Sequence, residues 1–425
     1  MKFVELSIEE FEKFAFNHEL FSFHQTKEWA KLKEKNGWKA YYVGLKEDNK
    51  IIGASMLLYK KMSAFGNMFY SPRGYLIDYK DENIIREFTL GIKEFVKNKN
   101  GFFIKIDPYF SYRQRDVDGN IVENGYINDD VISSLKNNGY KHYGFNNDMS
   151  ELQPRFIFVL PVDNKSQDDI WNDMSKQTKR HITHAINEGI IVEEVNASNI
   201  DDFANIMAHT SNRRGFIDRP KSYYVNTLNT FKDNIKIIDA VFYVSKAIES
   251  NQTKLVELGN RKKEVEERVN TIGNQKSIDA LAKVNEDIDK TNEKIKYLED
   301  MKNKYGERIV MSSSMFMLYG NEVLYLFGGS YDSFMKFNSQ YLLQWEMIKY
   351  AINNGYSRYN FYGIEGDFSE KNGVYNFKKG FGGEVVEFIG EFDLVTNKFK
   401  YIIYKISFFL YKKIKGLKLI FRRHK

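Results

Sequence analysis

Towards the C-terminal end of the chain a tyrosine, a phenylalanine and two lysines run directly into three glycines: Tyr375, Phe377, Lys378 and Lys379, then Gly380, Gly382 and Gly383. Glycine lets a backbone approach a ligand closely or turn with positive φ. An ammonium fixed beside such a turn neutralises an anion or a developing oxyanion. Taken alone, a motif this short is more often an ordinary glycine loop with a solvated lysine pair. A second cationic group, Arg213-Arg214-Gly215-Phe216 followed by Asp218-Arg219-Pro220, ends a helical stretch. Arginine's planar fork suits bidentate contact with phosphate; the plain alternative is a charge cluster at a helix C-terminus. Lys33 closes the segment QTKEWAKLK, and Asp107 precedes Pro108 at a strand end, where aspartate commonly opens a turn.

Composition removes other chemistries. With no cysteine, disulfides, thiolate nucleophiles and Cys-ligated zinc are excluded. Scattered histidines without an HExxH pattern give no metal signature, so neither metal nor cofactor is expected. A net charge of +6 does not by itself indicate nucleic acid, but it permits polyanionic partners. The start, MKFVELSIEEFEKF, mixes acids into its apolar positions and so is no signal peptide. No run is apolar enough to span a bilayer, and the expected location is the cytoplasm. A length of 425 residues suggests two domains.

The elements that must hold these residues follow from periodicity and punctuation. Ser7 and Glu10 form a capping box opening a helix over 8–17. A short helix follows in the second half of 21–37, then a hairpin, 40–45 with 50–59, around Glu47-Asp48-Asn49. A helix over 82–98 stops at Asn100-Gly101, and a strand over 102–106 presents Asp107. Gln153-Pro154-Arg155 opens the second half, with a strand over 156–160. One helix over 168–188 carries Lys176, Lys179, Arg180, His181 and His184, a basic face that is either solvated or set to meet RNA phosphates. Then come a helix over 203–213, a strand pair (309–319 and 322–328), a helix over 340–353 and a strand over 357–362. A loop delivers Tyr375 to Lys379. Asn-Asn-Gly-Tyr recurs at 137–140 and 353–356, each time at a helix-to-strand junction, which favours two copies of one α/β unit.

Residues 246–304 contain no Pro and no Phe, and charge is dense. Ile248, Leu255, Leu258, Val265, Val269 and Ile272 fall at heptad-like steps. Gly273-Asn274 interrupts them, and Leu281, Val284, Ile288, Ile295 and Leu298 resume. This predicts an antiparallel coiled-coil arm. After Asp393 there is no acidic residue. The tail reads as a basic amphipathic helix, suited either to an anionic membrane surface or, in its first half, to packing on the first domain.

Several of these stretches together resemble the Fem family of aminoacyl-tRNA-dependent transferases that build peptidoglycan interpeptide bridges. The resemblance rests on Tyr375-x-Phe377-Lys378 with Phe388-Ile389-Gly390-Glu391-Phe392-Asp393, on QTKEWAKLK and KIDP, on the basic helix around Lys176, and on the arginine run at Arg213. It implies an α/β fold of two GNAT-like acyltransferase domains, 1–150 and 151–390. The second is interrupted by the arm at 246–304, and 391–425 returns to the first domain or to the membrane surface. It implies transfer of an amino acid from aminoacyl-tRNA to an amine of a lipid-linked or nucleotide-linked peptidoglycan precursor. Carried onto this sequence, Lys378 stabilises the oxyanion, Lys33 and Arg213 contact the precursor's phosphates, Asp107 contacts its peptide or sugar, and Arg214 and Tyr375 complete the substrate site. Phe327 stands where small family members often have a tyrosine. No Gln/Arg-x-x-Gly-x-Gly/Ala loop of the CoA-dependent enzymes is present, which counts against acyl-CoA as donor. The other readings are an N-acyltransferase with a non-tRNA donor and a non-catalytic scaffold tethered to the membrane. The arm is expected to serve tRNA, or contact with a second copy or a related Fem protein.

Overall fold

The computed structural model describes residues 1–62, 65–145, 147 and 152–423, with side chains through Leu410. The first half runs β1 (Lys2–Glu5), α1 (Ile8–Ala15), α2 (Lys27–Glu34), β2 (Lys39–Glu47), β3 (Lys50–Lys61), β4 (Asn67–Ser71), α3 (Glu82–Asn98), β5 (Gly101–Ile106), β6 (Ser111–Gln114), α4 (Asp129–Asn137) and β7 (Tyr140–His142). The second half begins with β8 (Phe156–Pro161), α5 (Gln167–Asp173), α6 (Lys176–Asn187), β9 (Ile191–Val195), α7 (Asp201–Arg214), α8 (Lys221–Phe231) and β10 (Ile235–Tyr243). Two long helices follow, α9 (Val244–Ile272) and α10 (Gln275–Tyr305), then β11 (Arg308–Tyr319), β12 (Glu322–Ser330), α11 (Ser339–Asn353), β13 (Arg358–Ile364), α12 (Gly373–Lys379), β14 (Glu384–Phe388), β15 (Phe392–Val395) and α13 (Lys398–Arg423).

The strands form two sheets of one design. The first has the order β1-β2-β3-β4-β5-β15-β7 and the second β9-β10-β11-β12-β13-β8-β14-β6. In each, three antiparallel pairings lead to one parallel pair, β4 with β5 and β12 with β13, and antiparallel strands follow. A parallel pair needs a crossover, and α3 and α11 supply it at the same place in each unit. The Asn-Asn-Gly-Tyr echo marks α4 to β7 and α11 to β13, and both glycines have positive φ. The fold is two α/β units of like topology. The units exchange strands: β15, from the end of the chain, lies between β5 and β7, while β6 of the first half joins the second sheet beside β14.

Packing fuses the halves. Phe23, Trp29 and Tyr70 share one apolar cluster with Phe203, Tyr224, Phe231 and Tyr319. The second sheet is further tied by Glu387, which is fully enclosed. It accepts from Arg113 at 2.9 Å and Arg115 at 2.5 Å, and also from Arg155. A buried carboxylate is tolerable only when so paired.

Three expectations change. The helix over 168–188 is two helices, because Met174 is extended and Ser175 starts a new cap by accepting from Thr178 N. Residues 375–379 are helical: Asn372 caps α12 by accepting from Tyr375 N. The inserted helices also reach into the domain. Buried Ser277, Val284, Thr291 and Leu298 fall every seventh residue along α10 against α9, yet Val244, Leu298 and Met301 belong to the second unit's core.

Candidate functional site

Tyr375 fixes the helix that carries Lys378. Its hydroxyl donates to Val117 O at 2.7 Å, and its ring lies against Phe158 and Phe368. The side chain is fully enclosed, so it holds α12 in place and offers no free hydroxyl. Gly380 and Gly383 serve close packing as well. A Cβ on Gly380 would meet Thr178 Oγ1 at 2.3 Å, and one on Gly383, at φ +110°, would meet Val159 O at 2.3 Å. These glycines let the turn approach the protein's own α6 and β8.

Lys378 points inward and is 5% exposed. Its Nζ donates to Gly363 O at 2.6 Å and to Tyr362 O at 3.4 Å. Burial pushes the ammonium down to about 7, while the accepting carbonyls favour the charged form. The neighbouring Lys379 instead turns out to pair with Asp118. Tyr362 sits at φ +63°, where β13 shifts register against β8. Such a bulge re-aims a side chain: the Tyr362 hydroxyl donates to Gln153 Oε1 at 2.7 Å, while its carbonyl faces Lys378.

Asp107, at the end of β5, is buried. Tyr70 Oη donates to it at 2.8 Å and Arg73 N at 2.7 Å. Burial pushes its carboxyl up to about 6 against the opposing pull of Arg73. Arg73 is itself enclosed, donating to Pro154 O at 2.7 Å and lying 4.5 Å over Phe388. The charges of Arg73 and Asp107, from the first unit, both act on Tyr362, and Lys378 of the second unit donates to its carbonyl.

Lys33, in the last turn of α2, lies 4.1 Å over the Trp29 ring. Burial, aided by the charge of Arg219, pushes its ammonium down to about 8. It opens onto a cavity of about 450 Å³ whose wall includes Lys35, Arg219, Tyr223 and Asn226. Trp29 packs edge-on to His24 at 4.7 Å, and Gln153 lies beside the His24 ring. Burial, then the charges of Arg73 and Lys33, hold the His24 imidazole neutral. A continuous path therefore runs Lys33, Trp29, His24, Gln153, Tyr362, Lys378. A larger cleft of about 610 Å³ on the other side of α2, lined by Lys27, Glu28, Lys31 and Glu34, contains none of these residues.

The structure thus brings Lys33, Asp107 and Lys378 into one region between the units. Arg213 stands apart, paired with Asp332 Oδ1 at 2.5 Å and touching Met335 Sδ at 3.0 Å. Arg214 is exposed, and Arg219 is the arginine that faces Lys33. Phe327 packs on Tyr224. His24, Arg73, Gln153, Arg219, Tyr223 and Tyr362 complete the region; of these the sequence reading named only Gln153, as the opening of the second half, and Arg219, in the arginine run. On α6, Lys179 donates to Asn172 O and His181 packs against Tyr341, so the basic helix is partly engaged by its neighbours.

The model of the FemAB family matches residues 6–408. The chain is 32% identical over 414 residues to aminoacyltransferase FemA of Staphylococcus epidermidis, covering 95% of this chain and 98% of that one. To aminoacyltransferase FemA of Staphylococcus aureus it is 31% identical over 413 residues, covering 95% and 97%. The crystal structure of FemX superposes with a TM-score of 0.78 at 27% identity, covering 95% of this chain and 99% of that one. Matched nearly end to end, with its two-unit fold intact, this chain belongs to the FemAB family and is an aminoacyltransferase.

Proposed function

We propose that the enzyme moves an aminoacyl group from aminoacyl-tRNA to an amine on the stem peptide or growing bridge of a lipid-linked peptidoglycan precursor. The observation that carries this reading is a single connected region holding a cation-lined cavity at one end and a buried lysine at the other. The cavity, with Lys33 and Arg219 on its wall, suits a pyrophosphate. Phe216 and Ile217, 45% and 72% exposed and three residues or fewer from Arg219, favour a carrier with a hydrocarbon tail over a nucleotide. Arg214, exposed at the start of the same loop, supplies further positive charge to an approaching phosphate.

In the reaction the acceptor amine attacks the ester carbonyl. A C–N bond forms, the C–O bond to the ribose breaks, and the amine's proton ends on the leaving ribose hydroxyl. An ester becomes an amide, so no covalent enzyme intermediate is required. The chain's own tasks are orientation and stabilisation of the tetrahedral oxyanion. Lys378, held by two carbonyls and shielded from water, is the residue assigned in this reading to donate to the oxyanion. Asp107, held between Tyr70 and Arg73, is the residue assigned in this reading to fix the acceptor peptide or sugar.

The test is reconstitution. Purified protein is mixed with pools of charged tRNA and either lipid-linked or nucleotide-linked precursor, and products are read by mass. The expected result is addition of one or more amino acids to the lipid-linked precursor, dependent on charged tRNA. Transfer from acyl-CoA in the absence of tRNA would replace this reading with the non-tRNA donor. Absence of any transfer, with both substrates bound, would favour the scaffold.

A further inference from the structure

The outer face of α13 has no role in the region described above. Its inner face is fixed: Tyr401 and Tyr404 are buried against Phe102 and Phe103, at ring distances of 5.1 to 5.4 Å. Tyr401 Oη donates to Asp393 Oδ2 at 2.6 Å, and Lys105 pairs with the same carboxylate at 3.0 Å. This contact sets the rotation of the helix about its axis. What then faces away includes a row of large apolar side chains beside Lys405 and Ser407. Phe399 is 74% exposed, Ile402 57%, Ile406 56% and Leu410 52%. Their spacing of three, four and four residues gathers them into one stripe.

We propose that α13 docks the protein onto an anionic lipid surface, with this stripe lying in the headgroup–acyl boundary. From Leu394 to Lys425 the chain has ten Lys and Arg and no Asp or Glu; Lys405 pairs with Asp393 at 3.9 Å, and the segment itself brings no carboxylate to offset the rest. That combination selects the occupant. A nucleic acid would engage the lysines and leave four large apolar side chains against phosphate. A second copy would cover the stripe only by bringing two strongly basic tails together. An anionic bilayer satisfies both features, since each basic residue gains near the surface and each apolar one gains on insertion. No helix among the described residues is long and apolar enough to cross a membrane, which leaves the helix lying in the interfacial plane. The inference does not depend on the identity of donor or acceptor, because it concerns binding alone.

The experiment is cosedimentation of the full chain with vesicles of mixed phosphatidylglycerol and phosphatidylcholine, and with phosphatidylcholine alone. The chain should bind the anionic vesicles, and binding should weaken as salt is raised. Ile402→Glu with Ile406→Glu should lower partitioning by at least about tenfold, given the apolar area lost. Ile402→Leu with Ile406→Leu should leave it within about twofold. Both variants change exposed positions, and an unaltered thermal midpoint checks that the fold survives. No binding by the wild type would overturn the proposal, as would equal binding by the glutamate variant. A change from dimer to monomer in that variant, with vesicle binding intact, would also overturn it and assign the stripe to self-association.

Discussion

At the residue scale, Lys378 carries a conflict between stability and chemistry. Its ammonium is buried against two backbone carbonyls, and among the described residues no carboxylate pairs with it. Lys378→Ala should lower kcat by about 10²–10³, the usual effect of losing one oxyanion donor. Lys379→Ala, which breaks only an exposed pair with Asp118, should stay within about twofold by the small worth of surface ion pairs. Steady-state kinetics separate the two; a Lys378→Ala enzyme close to wild type would remove this lysine from the chemistry. The folded group titrates near 7 rather than 10.5. Between those values the unfolded chain binds the extra proton, so stability rises with pH through that window. Lys378→Met should flatten that rise while abolishing turnover, and denaturation measured across the window reads it. Asp107 runs with the opposite sign. Its carboxyl is raised from 3.8 to about 6, so its contribution is fully present below 3.8 and is lost as pH climbs through 6. Asp107→Asn should remove that slope.

At the element scale, the sequence read well wherever a local signal fixed the structure. The Ser7–Glu10 capping box, the α3 boundaries and the Gly215 and Gly273 helix stops all appear as their residues dictate. It read poorly wherever tertiary contact decided. Nothing local shows that Tyr362 adopts positive φ, because that backbone is held by β8, Gln153 and Lys378 together. The glycines after Lys379 read as ligand-approach glycines, yet their close neighbours are Thr178 and Val159. Arg213 and Arg219 are indistinguishable by composition, and only the packing of α8 beside α2 turns Arg219 towards Lys33. A direct comparison follows. Lys33→Ala and Arg219→Ala should each weaken precursor binding by about 1.5–3 kcal/mol, the worth of a charge-assisted hydrogen bond. The loss should vanish for a precursor analogue without pyrophosphate. Arg213→Ala should be milder, since its guanidinium already serves Asp332; an equal loss would return the phosphate role to Arg213. Calorimetric titration with both ligands gives the answer.

At the scale of the whole molecule, the crossing of strands between units makes the C-terminal segment structural before it is anything else. β15 pairs with β5 on one side and β7 on the other, and Phe392 and Leu394 are buried in the first unit's core. A chain ending at Gly390 would leave two strand edges unpaired and that core open. Each lost side chain is worth about 1.5–3 kcal/mol, against a total domain stability of about 5–15 kcal/mol. Such a truncation should therefore lose the cooperative unfolding transition and aggregate through the exposed edges. A chain ending at Leu410 keeps β15, Tyr401 and Tyr404, and should melt within a few degrees of the full chain while losing basic residues from the tail. The inserted helices behave differently again. Their ends, Val244 and Leu298 to Met301, belong to the second unit's core, so removal of 246–304 would cut into it. Excision of 252–293, with a short glycine bridge across the roughly 8–10 Å between paired helices, removes only the part in which α9 and α10 bury each other. That chain should keep its melting transition. If the distal arm engages the donor, the KM for charged tRNA should rise and precursor binding should not change. A shift from dimer to monomer in sedimentation, with the KM for tRNA unchanged, would assign the arm to assembly instead.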